Sequence, residues 1–333
     1  MKNNTKKLRQ LNKSQLLNEL KLVSSATKNT LANSTGLSVA TCGNILKECI
    51  DSGEVFEIEL GESTGGRPSR QFTFNKFYRH TACIYPRHEG KSVSISVSVN
   101  DLLGNCVYDQ HLECDVDILI ELKAIIDHLL VLYPTIKALS FGIPGVVDNG
   151  IIGICDIKEL IDFHFKEYFE ERYKIPITVD NDVNLSALGY YHKSLDEDDQ
   201  NIAYIYFPVD GHPGAGIIIN GEIINGFSNF AGEVSYMPGI IPRKIQGNIQ
   251  QSPQDFAVYV ASIIMNINCV INPKTIVISG YCFNDIILNE INKNLVKFSR
   301  VNYVPNIIFE EDLHESYLQG LITRALEALK EDI

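Results

Sequence analysis

The sequence predicts a mixed α/β fold, in which a small N-terminal unit precedes a large α/β domain. Over residues 1–75, apolar stripes at helical spacing are followed by two short alternating segments, a pattern typical of three helices and a β-hairpin. From residue 76 onward, strand-like runs such as Ser92–Val99 alternate with helical stretches such as Ile118–Leu132, which indicates an α/β domain. A chain of 333 residues is long enough for each part to bury its own core.

Three helices are predicted in the N-terminal unit, the first over residues 13–23. Thr27 can cap the second helix, Gly36 permits a tight turn after it, and Ser38 can cap the third helix, which ends at Gly53. The apolar residues predicted to face inward are Leu16, Leu17, Leu20 and Val23 on the first helix, and Val39, Cys42, Ile45, Leu46, Cys49 and Ile50 on the third.

Two short helices joined by a glycine-containing turn form the helix-turn-helix arrangement of many DNA-binding proteins. The predicted contacts to DNA are Ser38, Thr41, Asn44 and Lys47, which lie at the start or on the outer face of the third helix. Asn44 can contact adenine, and Lys47 can contact either guanine or a phosphate. A three-helix unit that serves only for protein contacts is the alternative interpretation.

A wing is predicted after the third helix. Residues 54–60 alternate charged and apolar side chains as a half-buried strand does, and residues 71–74 can pair with them. The intervening tip contains Gly65-Gly66-Arg67-Pro68, and Arg67 is suited to a phosphate or a narrow minor groove. The first 75 residues are therefore predicted to form a winged helix-turn-helix DNA-binding domain.

The charge distribution predicts that a polyanion such as DNA would bind at the N-terminal end of the chain. The formal net charge is −12, yet the first 50 residues carry eight Lys and Arg against two Asp and Glu. The eight cysteines contain no CxxC pair, and neither a signal peptide nor a membrane span is found in the sequence. We therefore expect a cytoplasmic protein that needs no membrane, with its cysteines reduced.

Polar residues follow two predicted strands of the larger domain. The strand 136–143 runs into Pro144-Gly145, and Asp180–Asn184 comes directly after the strand 175–179. Ligands in open α/β sheets usually bind beyond the carboxyl ends of strands, so this cluster is a candidate site. Asn181 and Asp182 also have the alternative role of capping the helix that begins near Val183. A glycine-rich segment, 207–216, and an Asn220-Gly221 hairpin follow.

The order of these segments resembles the ROK family of sugar kinases and sugar-responsive repressors. The resemblance spans nearly the whole chain. It rests on Thr35-Gly36-Leu37-Ser38, Gly65-Gly66-Arg67-Pro68, Gly142-Ile143-Pro144-Gly145, Asn181-Asp182-Val183-Asn184, the run 214–221, Ala231-Gly232-Glu233 and the run 271–280.

The resemblance implies a winged helix-turn-helix domain over residues 1–75 and a two-lobed actin-like, or ribonuclease H-like, domain over residues 76–333. Lobe 1 would comprise residues 76–190 with a C-terminal helix, 315–333, and lobe 2 residues 191–314. A monosaccharide would bind between the lobes. The ligand-binding residues implied are Gly145, Asn181, Asp182, Glu233 and Tyr236, with Asp182 at the position of the general base in kinase members.

Two departures from the family pattern argue against catalysis and against a metal. Residues 82–92 lack the D-x-GGT phosphate loop, and a segment around Asp210 replaces the family's GTG, so no ATP-dependent activity is expected. Tyr236 stands where the family has a zinc-binding His, and residues 242–253 contain no Cys, so neither metal nor cofactor is expected.

We therefore expect a transcriptional regulator, a repressor, that binds a double-stranded DNA operator. Its catalytically inactive kinase-like domain would sense a small carbohydrate, and the protein would be a homo-oligomer, a dimer or tetramer, that matches paired half-sites. Two alternatives stay open. One is an active ROK sugar kinase with a DNA-binding arm, and the other is a constitutive DNA binder with a ligand-dead scaffold domain.

Overall fold

The structure is a computed structural model of the chain. Among its residues, Arg67 and the rest of the predicted wing tip lie outside the described part. The described residues are 2–58, 70–89, 92–194, 200–208, 212–237, 241, 246, 249–299 and 303–331.

The N-terminal unit contains three helices and a three-stranded sheet. Capping confirms the second and third predicted helices, because the side chains of Thr27 and Ser38 accept the first-turn N–H groups of Thr30 and Thr41. The elements are α1 (Lys2–Leu22), β1 (Ala26–Thr27), α2 (Lys28–Thr35), α3 (Val39–Ser52), β2 (Val55–Ile58) and β3 (Gln71–Phe74), with the strands in the order β1-β3-β2.

The first helix and two apolar residues differ from the prediction. Helix α1 begins at Lys2 rather than at residue 13, because its first turns are polar and carry no apolar stripe that periodicity could detect. Val23 follows the end of α1 and is 39% exposed, and Val39 is 45% exposed in the first turn of α3. The prediction that these two valines face inward was therefore wrong.

The first sheet of the larger domain has the strand order β10-β7-β4-β5-β6. Helices α4 and α5 supply apolar side chains to the core that this sheet covers, including Leu122 and Phe169. The elements are β4 (His80–Glu89), β5 (Ser92–Asn100), β6 (Cys106–Cys114), α4 (Ile118–Leu132), β7 (Ile136–Ile143), β8 (Gly145–Asp148), β9 (Ile151–Cys155), α5 (Phe165–Tyr173) and β10 (Ile177–Asn181), with β8 and β9 forming a separate hairpin.

The second sheet has the strand order β13-β12-β11-β14-β15, and helices α7 and α8 pack against it. Asn220 and Gly221 both have positive φ in the tight turn of the β12–β13 hairpin, which confirms the predicted hairpin. The elements are β11 (Ile202–Tyr206), β12 (Gly214–Ile219), β13 (Glu222–Ile223), α7 (Pro253–Val270), β14 (Thr275–Ser279), α8 (Asp285–Phe298) and β15 (Asn306–Glu310).

Helices α6 (Asp182–Lys193) and α9 (His314–Glu331) pack closely on each other and join the two sheets. Helix α9 contacts β4, β7 and β10 of the first sheet, whereas α6 contacts β11 and β12 of the second. The division into lobes at residue 190 and the boundary at residue 75 remain our proposals. They are supported by this arrangement and by the gap between β3 and β4. None of the helices in the described ranges has an apolar run long enough to cross a membrane.

Candidate functional sites

The register of two parallel strands determines where the predicted ligand-binding residues Asn181 and Gly145 lie. Strand β10 pairs with β7 so that Asn181 lies opposite Ile143, and α6 starts at the next residue. The carboxyl ends of these strands therefore place Asn181 beside Gly145, which begins the β8–β9 hairpin. A side chain at Gly145 would come within 2.4 Å of the carbonyl oxygen of Ile154, so the hairpin requires glycine there.

Asn181 is the N-cap of α6. Its Oδ1 accepts hydrogen bonds from the N–H groups of Val183 (2.9 Å) and Asn184 (3.0 Å). Its Nδ2 donates to the carbonyl oxygen of Gly145 (2.9 Å) and to Oδ1 of Asp182 (3.1 Å). These four bonds match the full capacity of an amide side chain, so the structure shows the capping role that the sequence left open.

Asp182 is a partly buried carboxylate at the start of α6. Its Oδ1 accepts from the N–H of Val183 (2.9 Å) and from Asn181. Burial raises the pKa of Asp182 to about 6, the cation of Arg87 opposes that rise, and Asp156 adds to it. A carboxylate with this pKa can exist both as an acceptor and as a protonated donor near neutral pH.

A polar pocket lies between the β8–β9 hairpin, the start of α6, the start of β12 and the loop 225–233. Its empty space of about 480 Å³ includes open solvent at the mouth, and the space open to the centre of a water-sized sphere is only about 50 Å³. The described residues in its wall are Val146, Val147, Asp180, Asn181, Val183, Asn184, Gly214, Ala215, Asn225, Asn229, Ala231, Gly232 and Glu233.

The structure places only part of the predicted ligand set in this wall. Asn181 and Glu233 line the pocket, whereas Gly145, Asp182 and Tyr236 lie next to wall residues without being among them. Tyr236 is 45% exposed, and its ring lies 5.3 Å from that of Phe230. The role of each of these residues toward a ligand remains a prediction.

A glycine fixes the position of Glu233. Gly232 has φ +93°, and a Cβ there would lie 1.8 Å from the carbonyl oxygen of Ala215. The N–H of Ala215 donates to the carbonyl oxygen of Gly232 (2.8 Å), so this loop is held against β12. Glu233 therefore begins the following 3₁₀ turn, Val234–Tyr236, with its side chain half-buried at the pocket wall.

Sequence reasoning missed Asn225 and Asn229 of the pocket and included Asn184 only within the polar cluster 180–184. Asn184 Nδ2 donates to Oδ1 of Asn225 (3.2 Å), which joins α6 to the loop 225–233. Asn229 has φ +54° and donates from Nδ2 to Oδ1 of Asp148 (2.7 Å), which joins the same loop to the β8–β9 hairpin. Asn225 and Asn229 lie on either side of the turn at Gly226. Asparagine near glycine is a weak signal for a site, because it is equally typical of a solvated loop.

Asp180 was named in the predicted polar cluster without a role. Its Oδ2 pairs with Nε of Arg324 on α9 (3.2 Å). Burial raises the pKa of Asp180, and the charge of Arg324 opposes that rise. The ion pair therefore offsets one of the two carboxylate charges in the pocket wall.

Strand β4 continues through the region where a phosphate loop was predicted to be missing. Strands β4 and β5 pair from Thr81 to Glu89, so their backbone groups serve the ladder. Within it, Pro86 lacks an N–H, and the guanidinium of Arg87 lies over the rings of Tyr85 (5.5 Å) and Tyr317 (5.2 Å). This part of the cleft thus holds a cation of the protein itself, close enough to influence Asp182.

Gln246 is one of the described residues in the stretch after Tyr236, where the resemblance implies that relatives have cysteines. The buried Gln246 donates to the carbonyl oxygens of Ser235 (2.8 Å) and Ile241 (3.0 Å). Its Oε1 lies 3.1 Å from Nδ1 of His212. Among the described residues, no cluster of three or more His, Cys, Asp or Glu side chains could hold a metal ion.

The face of α3 carries the predicted DNA contacts. Ser38, Asn44 and Lys47 are exposed and Thr41 is half-buried, and the hydroxyls of Ser38 and Thr41 lie 2.8 Å apart at the cap of the helix. Glu48 follows Lys47 and pairs with Arg9 of α1. Ser38, Asn44 and Lys47 are therefore the predicted contacts at α3 that are most open to a partner, and all five predicted DNA contacts, Arg67 included, stay predictions.

Comparison with known proteins finds a ROK family domain within the chain. A family model described as "ROK family" matches residues 93–243. The xylose repressor of Bacillus spizizenii is 28% identical over 249 residues, which cover 69% of this chain and 61% of the repressor. The chain thus spans about three fifths of the length of that relative.

Solved structures match the same architecture. The crystal structure of a ROK family transcriptional regulator, a homologue of the E. coli MLC protein, superposes with a TM-score of 0.74 over 98% of both chains at 17% identity. A ROK hexokinase from Thermus thermophilus superposes with a TM-score of 0.59 over 76% of this chain and 99% of its own at 14% identity. The chain has the winged helix-turn-helix and two-lobed actin-like fold predicted from its sequence, and its residues 93–243 match the ROK family domain.

Proposed function

We propose that this protein is a transcriptional repressor that binds operator DNA through its N-terminal unit and senses a small sugar in the cleft. The observation that carries the proposal is the exposed polar face of α3, with Asn44 and Lys47, in a chain that also has a ROK domain. Two of its relatives are named xylose repressors, and that name joins a sugar with repression. Regulation requires that the sugar bind two states of the protein unequally.

The pocket wall favours a small, neutral, polyhydroxylated ligand. Amide groups of Asn184, Asn225 and Asn229 offer both donors and acceptors to hydroxyl groups, and Glu233 offers an acceptor. A second carboxylate, Asp180, is offset by its ion pair with Arg324. D-xylose is the first candidate because two relatives that match over 249 residues are xylose repressors.

We infer that the domain has no sugar kinase activity. The ladder between β4 and β5 occupies the backbone groups that a phosphate loop would need, and Pro86 supplies no amide. Arg87 places its charge near Asp182, which supports a role for Asp182 in binding rather than in proton abstraction. The protein would act in the cytoplasm as a homo-oligomer, since paired half-sites are read by two-fold symmetric proteins.

A DNA-binding assay with and without sugar tests the regulator proposal. A fragment from upstream of the protein's own coding sequence is titrated with the full chain, and D-xylose and D-glucose are then added separately. We expect sequence-dependent binding that one of the sugars weakens. Asn44→Ala should reduce discrimination between that fragment and a scrambled one, because an amide that pairs with adenine carries sequence information.

Two further measurements separate the alternatives. Turnover of ATP and Mg²⁺ with a panel of hexoses, pentoses and amino sugars would establish the kinase alternative and contradict our inference. A thermal-shift screen with the same panel addresses the scaffold alternative, because a ligand raises apparent stability by mass action. A protein that binds DNA, yet whose stability and DNA affinity respond to none of these sugars, would be a constitutive binder.

A further inference from the structure

The N-terminal half of helix α1 lies beside the predicted recognition helix α3, and side chains of both helices line one open groove of the N-terminal unit. The first eleven residues of α1 were not predicted to be helical, and they carry Lys6, Lys7 and Arg9. We propose that the N-terminal half of α1 is a second DNA-binding element, in which Arg9 binds a backbone phosphate beside the recognition helix. The inference rests on the proposed DNA-binding function.

An open groove between α1 and α3 supports this placement. Arg9 and Asn12 of α1 line it together with Asn44 and Lys47 of α3, so the predicted base-reading side chains and Arg9 share one accessible surface. The major groove of B-DNA is about 12 Å wide and admits one helix. With α3 in that groove, a helix packed along its side faces a phosphate wall, as flanking elements of helix-turn-helix proteins do.

Two basic residues of α1, Arg9 and Lys13, differ in their exposure and in the exposure of their ion-pair partners. Lys13 pairs with Glu54, and its side chain is only 23% exposed, so it serves the fold. The side chain of Arg9 is 68% exposed and pairs with Glu48, whose side chain is 42% exposed. Exposed ion pairs contribute little to stability, so this pair can open when a phosphate competes for the guanidinium.

If a DNA phosphate replaces Glu48 as the partner of Arg9, the guanidinium keeps an anionic partner and the phosphate gains a cationic one. A guanidinium binds phosphate with two parallel hydrogen bonds, which a lysine cannot reproduce. Glu48 lies on the edge of the reading face and would repel DNA, so its removal from the pair has its own effect. Arg9 thus has two separable roles, a direct phosphate contact and neutralisation of Glu48.

The test measures binding of the full chain to a mixed-sequence duplex as a function of salt concentration. Arg9→Gln, Glu48→Gln and the double variant are compared with the wild type. We expect Arg9→Gln to weaken binding about tenfold and to reduce the slope of log affinity against log salt by about 0.9, the value for one phosphate contact. Glu48→Gln should tighten binding and keep the wild-type slope.

The double variant decides between the two roles. With a direct phosphate contact, it keeps the reduced slope of Arg9→Gln. If Arg9 only neutralises Glu48, the double variant binds with the affinity and slope of Glu48→Gln alone, and our inference is overturned. Lys297→Gln, an exposed cation on α8 in the second lobe, controls for total charge and should leave both quantities unchanged.

Failure of the inference is distinct from failure of the proposed function. A wild-type protein that shows no salt-dependent binding to the duplex contradicts both proposals. A wild type that binds, together with an Arg9→Gln variant of identical slope, removes only the role of Arg9. Circular dichroism checks that the variants keep their helices, which the exposure of the Arg9 side chain leads us to expect.

Discussion

The charge of Asp182 should make the stability of the protein depend on pH between about 4 and 6. The chosen change is Asp182→Asn, which keeps the size of the side chain and one Oδ1 acceptor for the N–H of Val183 and the amide of Asn181. It removes the ability to ionise and places an NH₂ donor where Oδ2 stood. The pH dependence of the difference between variant and wild type therefore isolates the free energy of the charge.

The expected magnitude follows from the pKa of the carboxyl. Since one pKa unit corresponds to about 1.4 kcal/mol, a rise from 3.8 to about 6 means that ionisation destabilises the folded state by about 3 kcal/mol. The folded protein holds the proton where the unfolded chain has released it. The resulting stability is complete below pH 3.8 and is lost as the pH rises through about 6.

Urea unfolding at constant ionic strength, repeated from pH 4 to pH 8, provides the measurement. Asp182→Asn should be more stable than the wild type at pH 7 by up to about 3 kcal/mol, and this advantage should shrink toward pH 4. Burial lowers the pKa of His80 and of His192, but both proteins contain these residues, so their contributions cancel in the difference.

Asp109→Asn, at an exposed position on β6, makes the same chemical change outside the cleft and serves as the control. Its difference from the wild type should stay flat across the range. A flat difference for Asp182→Asn would refute the reasoning, and so would an advantage that grows toward acid pH. Either result would mean that the cleft does not disfavour the ionised carboxylate.

Three further changes test the packing and the cleft. Gly189→Ala places a Cβ 1.8 Å from the carbonyl oxygen of Ser316, so it should lower the free energy of unfolding by about 2 kcal/mol in urea titrations. Gly43→Ala meets only the flexible side chain of Lys28 at 3.3 Å and should slow amide exchange in α3, because alanine favours a helix by about 1 kcal/mol. Asp148→Ala removes a 2.7 Å bond with which a sugar would compete for Asn229, so it should slow sugar release about fivefold, as stopped-flow fluorescence would show. Unchanged stability, unchanged exchange or an unchanged release rate would contradict the respective prediction.

The helices with strong local signals were predictable to within a residue or two. Ile118–Leu132 has a continuous apolar stripe, and the helix that starts after Ser38 has both a capping residue and a terminal glycine. The first turns of α1 have neither, since they are polar on all sides, and the sequence predicted no helix there. The two-residue strand β1 pairs with β3 across 45 residues, a tertiary contact that local propensity does not encode.

The site was predictable where a motif coincides with a strand end. Asn181 and Glu233 line the pocket because β10 ends beside Gly145 and because Gly232 holds its loop against β12. Asn225 and Asn229 belong to a loop whose position depends on contacts with other elements. Periodicity carries no information about such contacts, so the sequence could not place them.

Asn181 shows why a motif residue in the right place need not be the residue that reads the ligand. The start of a helix and a sugar both favour a short polar side chain, and in this chain the N–H groups of α6, the side chain of Asp182 and the carbonyl oxygen of Gly145 take all four hydrogen bonds of the Asn181 amide. The groups left to discriminate between sugars are therefore those whose bonds join separate elements and can be exchanged for bonds to a ligand. Asn184, Asn225 and Asn229 meet this condition, and their bonds connect the loop 225–233 to α6 and to the β8–β9 hairpin. We propose that a sugar that competes for these bonds would change how that loop is tied to α6 and to the β8–β9 hairpin, and would thereby bind two states of the protein unequally, as a regulator requires.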